Sequence, residues 1–237
     1  MKNVAIILAG GSGNRYGSEI PKQFITVAGK QIIEYSIDAF ENCPLINEIG
    51  IVCKADYISH VEETVKNNHY QKVEQIIPGG KERYDSTLAA IAAYPDDDTN
   101  LLFHDAVRPF VSERIIRDCI EALKQYNAVG VAVKTTDTIV SVDANECIDM
   151  ILNRSVLRNV QTPQCFKRGL IKRAYDLALK DPDFTTPDDC GVIRRYMPQE
   201  PVYMVNGDYT NSKITYPEDL LSFERLIQQR KKTNNIL

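Results

Sequence analysis

Apolar residues run through this chain in short unbroken blocks that alternate with helical spacings. Val4 to Leu8 is continuously apolar, the pattern of a parallel strand buried on both faces. From Gln31 to Phe40, the positions Ile32, Ile33, Ile37 and Phe40 fall at helical spacing. Glu48 to Lys54 predicts a second strand, and Tyr57 to Asn67 a helix with Ile58, Val61 and Val65 on one face. Lys72 to Ile77 predicts a third strand, and Arg83 to Tyr94 a helix through Tyr84, Leu88 and Ile91. Leu101 to Phe103 is a fourth strand. Ser112 then caps a helix through Ile115, Ile116, Cys119 and Leu123, and Ala128 to Val133 is a further buried strand. The alternation predicts an α/β fold, a mostly parallel twisted sheet with helices on both faces, Rossmann-like in type.

The pattern breaks after Val133. Thr138 to Val142 and Cys147 to Leu152 are β-prone runs around the turn Asp143-Ala144-Asn145, which predicts a hairpin where a crossover helix is due. A lone two-stranded ribbon is marginal in water, so this arm, about residues 137–158, is expected to pack on a second subunit. Thr162-Pro163-Gln164 then leads to a helix from Arg168 to Lys180. Thr186-Pro187-Asp188-Asp189 reads as a helix start, with a cap, a first-position proline and first-turn acids. Pro201 to Val205 and Lys213 to Thr215 predict strands around Asn206-Gly207-Asp208, and Thr215 to Glu218 a capping box for the last helix. No repeat or linker divides the 237 residues, so one domain over 1–237 is expected.

Composition narrows the class. Hydrophobic residues make up 43% and charged residues 25%, ordinary for a globular chain with a sizeable core. A formal net charge of -4 advertises neither nucleic acid nor an anionic membrane, so any phosphate ligand needs a local cationic site. No run reaches transmembrane length and the N-terminus lacks a charged-apolar-small signal pattern, so a cytoplasmic location is expected. The six cysteines form no CxxC pair and read as reduced thiols rather than zinc ligands or disulfides.

In open α/β sheets ligands gather at the carboxyl ends of the strands. Three loops leave such ends. The first, Leu8-Ala9-Gly10-Gly11-Ser12-Gly13, lets backbone N–H groups approach an anion, and Arg15 and Lys22 follow as cations able to reach a triphosphate. It meets neither GxxxxGK[ST] nor GxGxxG, and alone it would be a tight turn. The second, Gly79-Gly80-Lys81-Glu82-Arg83-Tyr84-Asp85-Ser86, brings close backbone, a cation and a hydroxyl to a helix N-terminus. The third begins at His104-Asp105-Ala106. Asp105 there is either a satisfied turn residue or a ligand for hydroxyls and a divalent cation. His104 reads as a hydrogen-bonded structural residue. Arg108 either binds phosphate or braces its loop. The convergence of these loops points to a nucleotide site.

Taken together, LAGGSGNR, PKQF, GGKERYDS, HDAVRPF, DTIV, QTPQCF and NSKITYPEDL resemble the polyol-phosphate cytidylyltransferases, in the family order and across nearly the whole chain. The resemblance implies an enzyme that joins CMP from CTP to a polyol phosphate and releases pyrophosphate, with Mg²⁺ spanning the phosphates and a homodimer as the working unit. It implies that Arg15 and Lys22 stabilise the transition state, and that Arg154, lent by the partner subunit, and Lys213 hold the acceptor phosphate. Leu8, Ala9, Gly10, Gly11, Gly13, Gly79, Gly80, Arg83, Ser86, Asp105 and Ala106 fall in the CTP site, with Asp105 also the candidate metal ligand. Arg108, Thr162 and Thr186 fall by the acceptor. Methylerythritol-phosphate enzymes usually read HDAARP and DTIK, whereas Val107 and Val140 stand here, as in the pentitol-phosphate enzymes. The expected acceptor is therefore ribitol 5-phosphate or a related pentulose phosphate, for cell-surface polymer synthesis, with methylerythritol 4-phosphate as the alternative. Thr185 to Cys190 departs from the usual TDE or TDD form by an inserted proline. A non-catalytic nucleotide-binding regulator on the same fold is the reading from another class.

Overall fold

The computed structural model describes residues 1–11 and 20–234, with side chains to residue 230. In chain order the elements are β1 (Lys2–Ala9), β2 (Thr26–Val27), β3 (Lys30–Gln31), α1 (Ile32–Glu41), β4 (Glu48–Cys53), α2 (Ile58–Asn68), β5 (Val73–Pro78), α3 (Arg83–Ala93), β6 (Thr99–Asp105), α4 (Glu113–Ala122), β7 (Ala128–Lys134), β8 (Val140–Val142), β9 (Ile148–Ile151), β10 (Arg158–Lys167), α5 (Arg168–Ala178), α6 (Asp189–Tyr196), β11 (Val202–Asn206) and α7 (Pro217–Asn234). Seven strands form one sheet in the order β11-β7-β10-β6-β1-β4-β5. β10 is antiparallel to both neighbours and the other pairings are parallel.

The period of two along each strand divides the core. Ala5 and Ile7 of β1 and Leu102 of β6 face one side, with Ile33, Ile37 and Phe40 of α1, Val61 of α2 and Ile115, Ile116 and Cys119 of α4. Val4, Ile6 and Leu8 of β1 and Leu101 and Phe103 of β6 face the other, with Ile91 of α3, Leu170, Ile171 and Tyr175 of α5 and Val192 and Ile193 of α6. Both faces of β1 are dry, which is why its sequence is an unbroken apolar run. From β1 the chain steps outward to β4 and β5, then returns to β6 on the other side of β1. The switch in direction lies between β1 and β6, where a crevice opens at the strand ends.

Several expected elements change. Thr162-Pro163-Gln164 lies inside β10, a strand the sequence pattern does not announce, and α5 follows directly at Arg168 as expected. Pro163 has no N–H to give the ladder, and it sits where the β10–β7 register shifts between Gln161 and Cys165. Lys213 to Thr215 is not a strand; it is extended chain tied down by Ile214 N–H donating to the Val107 carbonyl at 2.9 Å. The cap of α6 is Asp188, not Thr186: its carboxylate accepts from Gly191 N–H at 2.7 Å. At α7 the acid that reaches back to the Tyr216 N–H, at 2.9 Å, is Asp219 rather than Glu218. Ser112 does cap α4. The hairpin forms as its own two-stranded sheet, β8 with β9, and exposes Val142, Ile148, Met150 and Ile151.

Candidate active site

The crevice at the switch point is a cleft of about 620 Å³. Its floor is the end of β1, Leu8 to Gly11, and the end of β6, Asp105 to Val107; Gly80 to Arg83 and Ser86 close one side. The two glycine loops meet on Ser86. A Cβ at Gly10 would lie 3.1 Å from Ser86 Oγ, and one at Gly79 only 2.8 Å from it, so both backbones need the missing side chains. Gln23 fixes the first loop from beneath, donating from Nε2 to the carbonyls of Ala9 at 2.6 Å and Gly11 at 3.2 Å. This is a physical reason for glutamine in Pro21-Lys22-Gln23-Phe24. The second loop runs into α3 through a reciprocal capping box between Glu82 and Asp85.

Lys22, Lys54, Lys81, Arg83 and Lys213 line the cleft against the acids Glu82 and Asp105. An acidic chain thus concentrates positive charge at one site, as a polyphosphate requires. Lys22 donates from Nζ to the Ile214 carbonyl at 2.7 Å, so the lysine of the first loop meets the segment that carries Lys213. Lys213 in turn donates to Asp105 Oδ2 at 3.0 Å, with Arg108 Nε at 3.5 Å and Arg83 Nε at 3.8 Å from the same carboxylate. Burial alone would raise the Asp105 pKa, but Lys213, Arg83 and Arg108 outweigh it and hold the carboxyl well below the usual range.

Behind Asp105, His104 is fully buried. The Asp105 N–H donates to Thr162 Oγ1 at 3.1 Å, Thr162 Oγ1 pairs with His104 Nδ1 at 2.9 Å, and His104 Nε2 lies 3.0 Å from the Arg108 carbonyl. A neutral imidazole with its proton on Nε2 satisfies every member. Burial pushes the His104 pKa down to about 4.

The structure brings most of the expected residues together. Leu8, Ala9, Gly10, Gly11, Lys22, Gly80, Arg83, Ser86, Asp105, Ala106 and Lys213 line one cleft, and Gly79 adjoins it. Gly13 and Arg15 lie outside the described residues. Thr162 is buried, with its hydroxyl committed to His104 and Asp105, so it supports the floor rather than lining a pocket. Arg108 braces its loop by donating to the Asn211 carbonyl at 3.0 Å. Thr186 lines a neighbouring cavity of about 320 Å³ formed by residues 82–84 and 184–188. Arg154 lies at the foot of the arm, donating to the Thr136 carbonyl at 3.2 Å, away from the cleft.

The described residues offer little as a metal site. Asp105 is held by three cations, and no cluster of three or more His, Cys, Asp or Glu ligands occurs among the described residues. These donors do not build a cage for Mg²⁺.

Sequence reasoning missed Lys54, Gln23, Gln164 and Asp189. Lys54 stands at the end of an apolar run, so the rule that found the other three loops pointed to it as well. Gln164 Oε1 accepts from the N–H groups of Asp189 and Cys190 at 3.0 and 3.1 Å, and its Nε2 donates to Asp188 Oδ2 at 2.9 Å. No local pattern reveals that clamp.

The family model for IspD, 2-C-methyl-D-erythritol 4-phosphate cytidylyltransferase, matches residues 3–229. A protein of that description from Thermobifida fusca is 45% identical over 230 residues, covering 94% of this chain and 92% of the relative. A bifunctional ribulose 5-phosphate reductase/CDP-ribitol pyrophosphorylase from Haemophilus influenzae is 44% identical over 233 residues, covering 97% of this chain and 49% of that longer protein. The crystal structure of 4-diphosphocytidyl-2C-methyl-D-erythritol synthase from Anaerococcus prevotii superposes with a TM-score of 0.85 at 31% identity, over 96% of this chain and 98% of the other. The Thermus thermophilus 2-C-methyl-D-erythritol 4-phosphate cytidylyltransferase does so at 0.75 and 26%, over 96% and 100%. Among the described residues no helix is long and apolar enough to cross a membrane. With a cation-lined cleft at the switch point and a match along almost its whole length, the chain belongs to the IspD family of cytidylyltransferases and is an enzyme.

Proposed function

We propose that the whole chain acts as one domain that transfers CMP from CTP to 2-C-methyl-D-erythritol 4-phosphate, in the cytoplasm, with release of pyrophosphate. The observation that carries the transfer is the cleft, where, among the described residues, five cationic side chains surround two glycine loops and one buried carboxylate. The methylerythritol acceptor, ranked second on sequence, is supported by the family description and the Thermobifida relative. An acceptor phosphate oxygen attacks the α-phosphorus of CTP, and the bond to the β-phosphate oxygen breaks. The acceptor is already an anion, so no protein nucleophile is required. Negative oxygens crowd together as the new bond forms, and Lys22, with Arg15, offsets that repulsion. The backbone of Gly79 and Gly80 with Ser86 reads the cytosine, and Asp105 accepts from sugar hydroxyls. Lys213 and a partner subunit's copy of Arg154 hold the acceptor phosphate. Magnesium, where used, enters on the triphosphate rather than on a site built by the protein.

A second reading, ribitol 5-phosphate as acceptor, is favoured by Val107. It lines the cleft where the methylerythritol enzymes usually carry alanine, and its two extra methyls narrow the space for a branched polyol. The Haemophilus relative supports the same reading. Pyrophosphate release from CTP with methylerythritol 4-phosphate, ribitol 5-phosphate and ribulose 5-phosphate, compared as kcat/KM, tests both. A preference of tenfold or more for a pentose-derived acceptor overturns the first reading, and release with none of the three overturns both.

A further inference from the structure

Asp189 opens α6, and its side chain is completely buried. Three donors surround its carboxylate: Arg83 Nη1 at 2.6 Å, Thr87 Oγ1 at 2.9 Å and Tyr175 Oη at 2.6 Å. Such an ion pair is a poor source of net stability, because desolvating both charges offsets their attraction. What it does supply is geometry. A guanidinium is planar, and two anchors fix its orientation. Asp189 takes one edge of Arg83, while the Arg83 Nε faces Asp105 Oδ1 at 3.8 Å, too far for a hydrogen bond. Among the described residues, the buried Arg83 Nη2 has no hydrogen-bond partner. Opposite charges that could close into a bidentate pair therefore stand apart, and the restraint comes from Asp189.

Asp189 is in turn held from β10, where Gln164 accepts from its N–H, and by Tyr175 of α5. Arg83 begins α3 and lies on the wall shared by the cleft and the neighbouring cavity. Lys213 and Arg108 already face Asp105 Oδ2, which leaves Oδ1 as the oxygen open to a ligand. Without Asp189, Arg83 would be free to swing from 3.8 Å onto Oδ1 and occupy the oxygen a ligand must reach.

We propose that Asp189 is a positioning residue of the nucleotide cleft: by holding Arg83 back from Asp105, it keeps the Asp105 carboxylate open to the hydroxyls of the bound nucleotide. This rests on the reading of the cleft as the CTP site. It does not depend on which polyol phosphate is the acceptor.

A double-mutant cycle in the full-length protein tests it, with the Kd for CTP measured by calorimetry and kcat and KM for CTP from pyrophosphate release. Asp189→Asn is expected to raise Kd and KM for CTP on the order of 10- to 100-fold, as a small misplacement of a binding group does, with kcat changed far less. In an Arg83→Gln background, where no guanidinium can close, the same substitution is expected to alter Kd within about threefold. A merely structural Asp189 would lower Tm and weaken binding equally in both backgrounds, and that result overturns the proposal. Should Asp189→Asn fail to fold, Tyr175→Phe loosens the same carboxylate while keeping the ring. It is expected to weaken CTP binding only when Arg83 is present, and an effect independent of Arg83 overturns the proposal. Wild-type protein that does not bind CTP overturns the donor reading and this inference together. CTP binding without turnover of any acceptor overturns the acceptor readings alone, because the cycle is still read in Kd.

Discussion

Replacing Gly80 by alanine tests how closely the second glycine loop is matched to the start of α3. A Cβ on Gly80 would lie 2.3 Å from Asp85 Cβ and 2.8 Å from Asp85 Cγ and Oδ2. Carbon atoms in contact stand about 3.5–4.0 Å apart, so relief takes more than about 1 Å of movement. Asp85 cannot rotate away, because its Cβ is fixed to the helix backbone and its carboxylate accepts from the Glu82 N–H at 2.8 Å. Either the loop moves outward or the capping box breaks. Overpacking of this kind costs about 1–3 kcal/mol, a fall of roughly 2–12 °C in Tm for a chain of this size. Because residues 80–83 line the cleft, the displacement also reaches the nucleotide, and kcat/KM for CTP is expected to fall about 100-fold. Pyrophosphate release and a thermal melt measure the two effects. A lowered Tm with unchanged kcat/KM would remove this loop from the nucleotide site. Wild-type values for both would refute the packing argument.

Gly11→Ala is the counterpart: among the described residues, chain neighbours aside, no atom lies within 4 Å of the added Cβ, so Tm should hold while KM for CTP rises, and an unchanged KM would mean the space is not used by the ligand. Lys22→Ala should lower kcat by roughly 100-fold while CTP still binds, as expected for a cation that acts on developing charge; an unchanged kcat in folded protein would remove Lys22 from the chemistry. His104 stays neutral in the fold and titrates near 4 rather than 6.5, so the unfolded chain binds the extra proton between those values. Stability should be full above about pH 7 and fall by ~2 kcal/mol on acidification to about pH 5; urea titrations of wild type and His104→Asn should show that slope only in the wild type. Arg154→Ala protein mixed with Lys22→Ala protein should recover part of the activity if the arm completes a neighbour's site, and no recovery despite measured subunit exchange would rule out a shared site.

The centre of the parallel half is legible because β1, β4 and β6 are dry on both faces. Val4 to Leu8 and the EIGIVC run of β4 carry that signal in their composition alone. β10 was not legible. Its N-terminal residues Arg158 to Val160 are exposed, its middle carries a proline, and only its later part is apolar enough to read as strand. Within the site, the glycine loops and their lysines followed from their position at strand ends. Of the residues the resemblance sets by the acceptor, Thr162 supports the floor through His104 and Asp105, and Arg108 takes the loop-bracing role that its position also allowed. Asp189 looked like an ordinary first-turn acid. Its partner Arg83 is more than a hundred residues away in sequence, and only the fold, which sets the start of α6 against the first turns of α3, brings the two together.

The place of β10 in the sheet has a consequence for how the chain is made. β6 gains its second neighbour, and β7 its inner one, only when β10 inserts between them. Synthesis from the N-terminus delivers β1, β4, β5 and β6 first, and these four can pair at once. The free edge of β6 and the apolar length of β7 then wait for Lys167 to emerge. At about 5–20 residues per second, the roughly sixty residues beyond β6 keep that edge uncovered for about 3–12 s. Two unpaired apolar strand edges in one nascent chain are a template for association with other chains. Conditions that slow translation between β6 and β10 should therefore lower the soluble yield of this enzyme, even though the finished sheet leaves neither edge open.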